Sequence, residues 1–170
     1  MRRFNPRKRQ RMLGYDYSLS NSYFVTFTSE HRTSRFGDIH DGRVHLNEPG
    51  QMVDAVWRSA PSHHPSLQLD TFVVMPDRIH PLIHLSEEFE ERPTVSSLVQ
   101  WFKTLTTRRY ITGVKEHGWA PFDGRLWKMG FHDRIVRDGE ELDHIRAYIE
   151  DNPRRRWLTM SEDRVFPEVQ

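Results

Sequence analysis

The chain contains no cysteine, so disulfides, thiolate metal sites and a cysteine nucleophile are excluded from the outset. It also lacks any run approaching the roughly 18 to 20 apolar residues of a membrane-spanning helix. Met1-Arg2-Arg3 leads into polar sequence rather than the apolar stretch of a secretory signal, so a cytoplasmic protein without a membrane partner is expected. There is no internal repeat. The first twelve residues carry no acid at all. Arg2, Arg3, Arg7, Lys8, Arg9 and Arg11 give them +6, which leaves −5 on the remainder of a chain whose net charge is +1. Such an arm is a usual footprint of contact with phosphate backbones, because neutralising phosphates releases counterions; a solvated terminus is the plainer alternative.

What is present suffices for one folded domain: 170 residues, 36% hydrophobic and 12% aromatic, enough apolar side chain to offset chain entropy. The aromatic and β-branched run Tyr23 to Thr28 reads as a strand. Asp41-Gly42 predicts a tight turn in a hairpin over 36–47. Met52, Val53, Val56, Trp57 and Ala60 recur at helical spacing, with Pro61 as the stop. Leu67 to Met75 and Ile79 to Leu85 predict a central antiparallel hairpin turned at Pro76-Asp77, with a bulged or unpaired position opposite Pro81. Val95, Leu98, Val99, Phe102 and Leu105 predict a longer helix stopped at Gly113. A last helix is capped by Asp138 with Glu141 in capping-box position, carries Leu142, Ile145 and Ile149 inward, and is closed by Pro153. The alternation implies an α+β fold, an antiparallel sheet with helices packed on one face.

Three features could carry chemistry. In Pro76-Asp77-Arg78-Ile79-His80, residues 78 and 80 share one strand face with His84. In Tyr148-Ile149-Glu150-Asp151-Asn152, the spacing of four sets the phenol and the amide on one helical face. Arg125, Trp127, Lys128, Phe131, His132 and Arg134 form a basic and aromatic set between the two long helices. Taken singly, each has an ordinary structural reading: a hydrogen-bonded strand histidine, a tyrosine at the rim of the core, a helix terminator before proline, and packing aromatics.

Together, in order, Tyr15-Asp16-Tyr17-Ser18 before Tyr23-Phe24-Val25-Thr26, Val73 to His80, Leu126-Trp127-Lys128 with Phe131 to Asp138, and Tyr148 to Pro153 resemble the REP-associated tyrosine transposases, single-tyrosine proteins of the HUH type. The resemblance implies a ferredoxin-like antiparallel sheet, a transposase-like domain over 15–160 between a basic arm (1–14) and a tail (161–170), and single-stranded or hairpin DNA as partner. It implies a nucleoid-associated monomer or homodimer and a metal-dependent tyrosine endonuclease that cleaves and rejoins repeat DNA. The nucleophile matches Tyr148, and the metal ligands match His80 and Asn152, with a weakly bound divalent ion, Mg²⁺ or Mn²⁺. The family's first metal histidine is replaced by Arg78, whose guanidinium has no lone pair to give. Three readings follow: another histidine such as His84 fills the gap, Arg78 itself clamps the phosphate, or the protein is a catalytically inactive hairpin-DNA-binding protein on the same scaffold.

For DNA contact the arm is joined by Tyr15 and Tyr17, whose rings would stack on unpaired bases, and by Lys103, Arg108, Arg137 and Arg154 as phosphate contacts. Deleting the residues before Gly14 is expected to weaken hairpin-DNA binding and flatten its dependence on salt. A titration over a range of salt concentrations tests this, and unchanged affinity and slope would make the arm a bystander.

Overall fold

The computed structural model describes residues 22–86 and 88–165; the arm and the Tyr15 and Tyr17 positions lie outside the described residues. The ordered elements are β1 (Ser22–Thr28), β2 (Gly37–His40), β3 (Arg43–Leu46), α1 (Glu48–Arg58), α2 (Ala60–His63), β4 (Leu67–Met75), β5 (Arg78–Leu85), α3 (Val95–His117), β6 (His132–Ile135) and α4 (Gly139–Val165). Among the described residues, no helix is long and apolar enough to cross a membrane.

Four strands form one antiparallel sheet in the order β4-β5-β1-β6. With α1 after β1 and α3 after β5, this is the ferredoxin-like β-α-β-β-α-β arrangement. The smaller β2–β3 hairpin stands apart from it, turned at Asp41-Gly42 as expected.

The period of two along β1 sorts its side chains onto two different faces. Tyr23, Val25 and Phe27 point into the main core with Val53, Val56 and Trp57 of α1 and Leu98, Val99 and Phe102 of α3. Phe24 points the other way, into a smaller cluster with Leu82 of β5, Val136, and Leu142, Ile145 and Ile149 of α4. Packing on one face therefore describes α1 and α3. The last helix adds a layer on the opposite face, and it packs there mainly against β4 and β5.

Pro81 acts as its sequence predicts. Opposite it, the pairing slips from Leu69↔Ile83 to Phe72↔Pro81, which leaves one extra residue on β4, a bulge. The bulge carries Asp70, whose carboxylate accepts from Arg146 of α4 at 2.6 Å. A proline in one strand thus helps seat a helix.

Three helix ends differ from expectation. α1 stops at Arg58, and Pro61 lies in the first turn of the separate α2 instead of closing α1. α3 runs past Gly113 to His117 and ends at Gly118 in the left-handed region (φ 69°). Gly113 serves instead as the seat of the Trp119 indole, in space that a Cβ would occupy. α4 does not close at Pro153 but continues to Val165, so the boundary drawn after residue 160 falls inside a helix. An interior proline costs about 3 kcal/mol. Here Asp151 pairs with Arg154 and Arg155, Arg156 reaches Asp77, and the Trp157 ring meets His40 of β2. These contacts lie beyond the proline and hold the continuation in place. The start of α4 is as predicted, with Asp138 Oδ1 accepting from the Glu141 N–H at 2.8 Å.

β6 was not legible in advance. It is four residues long and becomes a strand by pairing with β1.

Ile149 is fully buried where α4 meets the sheet. Ile149→Ala is expected to cost about 3 kcal/mol, measured by denaturant unfolding, and a cost below about 1 kcal/mol would mean that α4 is seated by its polar contacts instead.

Candidate functional site: a tyrosine and a guanidinium on one face of the sheet

The face covered by α4 collects the polar residues of β1 and β5. His80 is only 4% exposed, and its Nδ1 is 2.8 Å from the Thr26 hydroxyl. Its ring stacks on Phe24 with centroids 5.9 Å apart, and Tyr148 meets both rings edge-on, at 6.0 Å from His80 and 5.9 Å from Phe24. The phenol is fixed by this aromatic pair yet remains 38% exposed. On its outer side the Arg155 guanidinium lies 5.8 Å from the ring centroid.

Arg78 follows on the same strand face. Its Nε and Nη2 donate to the two oxygens of Asp77 at 3.0 and 2.9 Å. Arg156, two turns beyond Tyr148, donates to the same carboxylate through Nη1 at 3.3 and 3.4 Å. Asp77 is fully buried. Burial is the largest single influence on its carboxyl and opposes ionisation, but the hydrogen bonds and charges of Arg78 and Arg156 outweigh it and hold the carboxyl below its usual range. The Arg78 guanidinium is in turn held more firmly protonated, first by its bond to Asp77 and in smaller part by the phenol oxygen of Tyr148, although burial pulls the other way. Two arginines around one carboxylate leave a net charge of +1 beside the tyrosine.

His80 experiences that charge. Burial first, then the positive charge of Arg78, pushes its imidazole down to about 4, against a partial pull from Asp77.

The donor set does not fit a divalent metal. Among the described residues, no group of three or more histidine and carboxylate side chains is placed to hold one. Of the three positions that the family resemblance implies, His80 and the half-buried Asn152 carry a possible donor, and Arg78 carries a guanidinium without one. His84 does not fill the gap: it lies beyond Leu82 on the strand, roughly 13 Å from His80, and its Nδ1 faces the Ser22 hydroxyl at 3.3 Å.

Because α4 covers the β4–β5 half of this face, a trough remains over β1 and β6. Phe24, Thr26, His132, Asp133 and Arg134 line its floor. Arg137, His144 and Tyr148 stand along one side, together with Asp138, Glu140 and Glu141, the last paired with Arg134 of the floor. Of the basic residues singled out in the sequence, Arg137 is therefore on the tyrosine's side, whereas Arg154 pairs with Asp151 at 2.6 Å. Lys103 and Arg108 belong to α3, across the sheet from Tyr148. Lys103 is moreover tied to the carbonyls of Lys128 and Gly130 at 2.9 and 2.6 Å, and burial lowers its ammonium to about 8. Trp127 is a core residue, its indole N–H donating to Thr106 at 2.9 Å. The sequence reading missed Asp77 and Arg156 as a pair, since 79 positions separate them and neither stands out locally.

Residues 57–152 match the family described as IS200-like transposases. The chain belongs to this family. It is 27% identical over 160 residues to an uncharacterized protein of Haemophilus influenzae, covering 86% of this chain and 88% of that one. Its fold is similar to that of a REP-associated tyrosine transposase solved bound to a REP hairpin, with a TM-score of 0.62 and 18% identity over 86% of this chain and 72% of the other. A candidate transposase of Deinococcus radiodurans is also similar, with a TM-score of 0.50 and 19% identity over 83% and 95% of the two chains. At these identities the likeness to the solved structures is one of fold.

The unfolded chain protonates His80 near its ordinary value of about 6.5, whereas the folded chain resists protonation down to about 4. Between the two the unfolded state binds more protons. Stability is therefore complete above that interval and falls as pH drops through it, by up to about 3 kcal/mol. Thermal melts over this range should show a shallower decline for His80→Gln than for the unaltered protein, and parallel declines would place the acid sensitivity elsewhere.

Proposed function

We propose that the protein binds hairpin-forming single-stranded DNA along the β1–β6 trough and that Tyr148 cleaves and rejoins the strand through a phosphotyrosine. The position of Tyr148 carries this reading: a half-exposed phenol, immobilised edge-on against His80 and Phe24, stands where the trough meets a net positive charge. Membership of a transposase family supports strand cleavage as the reaction class, and the hairpin bound by the REP-associated transposase of similar fold supports the kind of DNA.

In that reaction the phenol gives up its proton to solvent, its oxygen bonds to phosphorus, and the bond from phosphorus to the 3′ oxygen breaks. The departing oxygen takes a proton from water and becomes a free hydroxyl. No bond energy is lost to hydrolysis, so the 3′ hydroxyl can later attack the phosphotyrosine and reseal the strand. Phe24 offers an aromatic edge at the floor of the trough, and Arg137 at its side suits a backbone passing the nucleophile, whereas Arg134 is already paired with Glu141.

A second reading is favoured by Arg78, a guanidinium bonded to Asp77 at the position where the family resemblance implies a metal-binding histidine. Here the same trough binds hairpin DNA without cutting it. Incubating the protein and its Tyr148→Phe variant with end-labelled hairpin DNA, in Mg²⁺, Mn²⁺ and chelator, separates the two on a denaturing gel. A covalent adduct that disappears in Tyr148→Phe is the expected result. Tight binding without adduct in every condition would leave the binding-only reading, and an adduct that survives in Tyr148→Phe would move the nucleophile elsewhere.

A further inference from the structure

The misfit between this donor set and a divalent metal has a structural counterpart next to it. At the C-terminal end of β1 a cleft of about 400 Å³ is lined by Thr26, Thr28, Arg32, Arg78, Lys128 and His132, together with the apolar side of the 129–131 loop. It is continuous with the trough beside Tyr148 through Thr26 and His132. Its lining contains two arginines, a lysine and a histidine, and no carboxylate. Thr28 adds a hydroxyl, while that of Thr26 is engaged with His80 Nδ1.

We propose that this cleft is a phosphate site that works without a divalent ion, with the Arg78 guanidinium as the cation that meets the DNA phosphate next to Tyr148. The proposal rests on the reading that this face takes single-stranded DNA, and it adds what holds the phosphate there.

Four observations converge on it. First, Asp77 engages Nε and Nη2 of Arg78, which fixes the plane of the guanidinium and leaves three of its five N–H donors for an incoming anion. Planar, pre-oriented guanidinium is well matched to phosphate oxygens. Second, Arg156 shares the same carboxylate, so Asp77 does not neutralise the site. Both arginine side chains keep access to solvent, at 21% and 33% exposure. Third, Arg32 is delivered by a costly turn. His31 and Arg32 both adopt left-handed backbone, with φ of 55° and 54°; for such side chains each costs on the order of 1 kcal/mol. Fourth, the Lys128 N–H donates to the Thr28 carbonyl at 2.9 Å, which brings the lysine to the mouth of the cleft from the strand's edge.

A guanidinium can do electrostatically what a metal would do for the phosphate. It neutralises the non-bridging oxygens and stabilises the added charge as a fifth oxygen approaches phosphorus. It does so without competing for His80, whose Nδ1 is already held by Thr26.

The test measures binding of a fluorescent hairpin DNA to the full chain carrying Tyr148→Phe, which removes covalent capture, at fixed ionic strength with chelator or with Mn²⁺. The affinity is expected to agree within about twofold in the two conditions. In the same background, Arg78→Gln should weaken binding at least about tenfold in both conditions. Arg78→His, which recreates a metal ligand, should weaken it in chelator and recover in Mn²⁺. The exposed pair Arg32→Gln with Lys128→Gln leaves the core untouched; it should weaken binding and lower the salt slope by about 2. A loss of about tenfold on chelation in the unsubstituted cleft would overturn the metal-independent site while leaving DNA binding intact. An unchanged salt slope in the Arg32 and Lys128 variant would likewise remove the cleft from the binding surface. Absence of hairpin binding in either condition would overturn both this inference and the functional reading beneath it.

Discussion

A fully buried carboxylate must be paired, and in this protein that requirement is placed on Asp77. Leaving such a charge without partners would cost several kcal/mol, so Arg78 and Arg156 are both drawn to it. One partner is its neighbour in the chain, and the other comes from α4, 79 residues later. The turn that carries Asp77 is itself pinned, its carbonyls accepting from the Ser29, Arg35 and Phe36 N–H groups. A charge-pairing constraint thereby fixes the far half of α4 against the end of the β4–β5 hairpin. Asp70, thrown outward by the bulge opposite Pro81, fixes the near half through Arg146. Tyr148 lies between these two anchors, which is why a helix interrupted by proline still presents one phenol at a defined place.

The two faces of the sheet divide the labour of the fold. One is packed by α1 and α3 around Trp57, Phe27 and Phe102 and supplies most of the buried apolar surface. The other carries only a small cluster around Leu82 and Ile149, and α4 covers it incompletely. That incompleteness makes the trough. A fuller apolar face on β1 and β6 would have drawn a helix over it, whereas Thr26, His132 and Arg134 keep it polar.

On the face that α4 covers, a guanidinium stands near a part-exposed tyrosine. A guanidinium brings a permanent charge and no lone pair, and the surroundings of Arg78 fit that charge. A buried acid orients the guanidinium, a second arginine restores the positive balance, and His80 is withdrawn into a hydrogen bond and an aromatic stack. Arg78 is thus built into its surroundings rather than left as a bare charge at the end of a strand.

Local pattern alone was enough for much of this. The β1 run, the Asp41-Gly42 hairpin, the β4–β5 pair with its disturbance at Pro81, and the Asp138 cap follow from spacing and side-chain type, because strand alternation, tight-turn preference and helix capping are short-range effects. The same short range placed Arg78 and His80 on one strand face and Tyr148 and Asn152 on one helix face. Where a helix stops was decided by distant partners: Gly113 is occupied by Trp119, and Pro153 is carried through by contacts to Asp77 and the β2–β3 hairpin. β6 exists only because β1 offers it an edge. The sequence by itself thus determined the elements and the residues available for chemistry. Only the tertiary structure decided that α4 crosses the opposite face to α1 and α3, that His84 is out of reach, and that Asp77 and Arg156 complete the site, because burial and charge pairing act between residues that the chain keeps far apart.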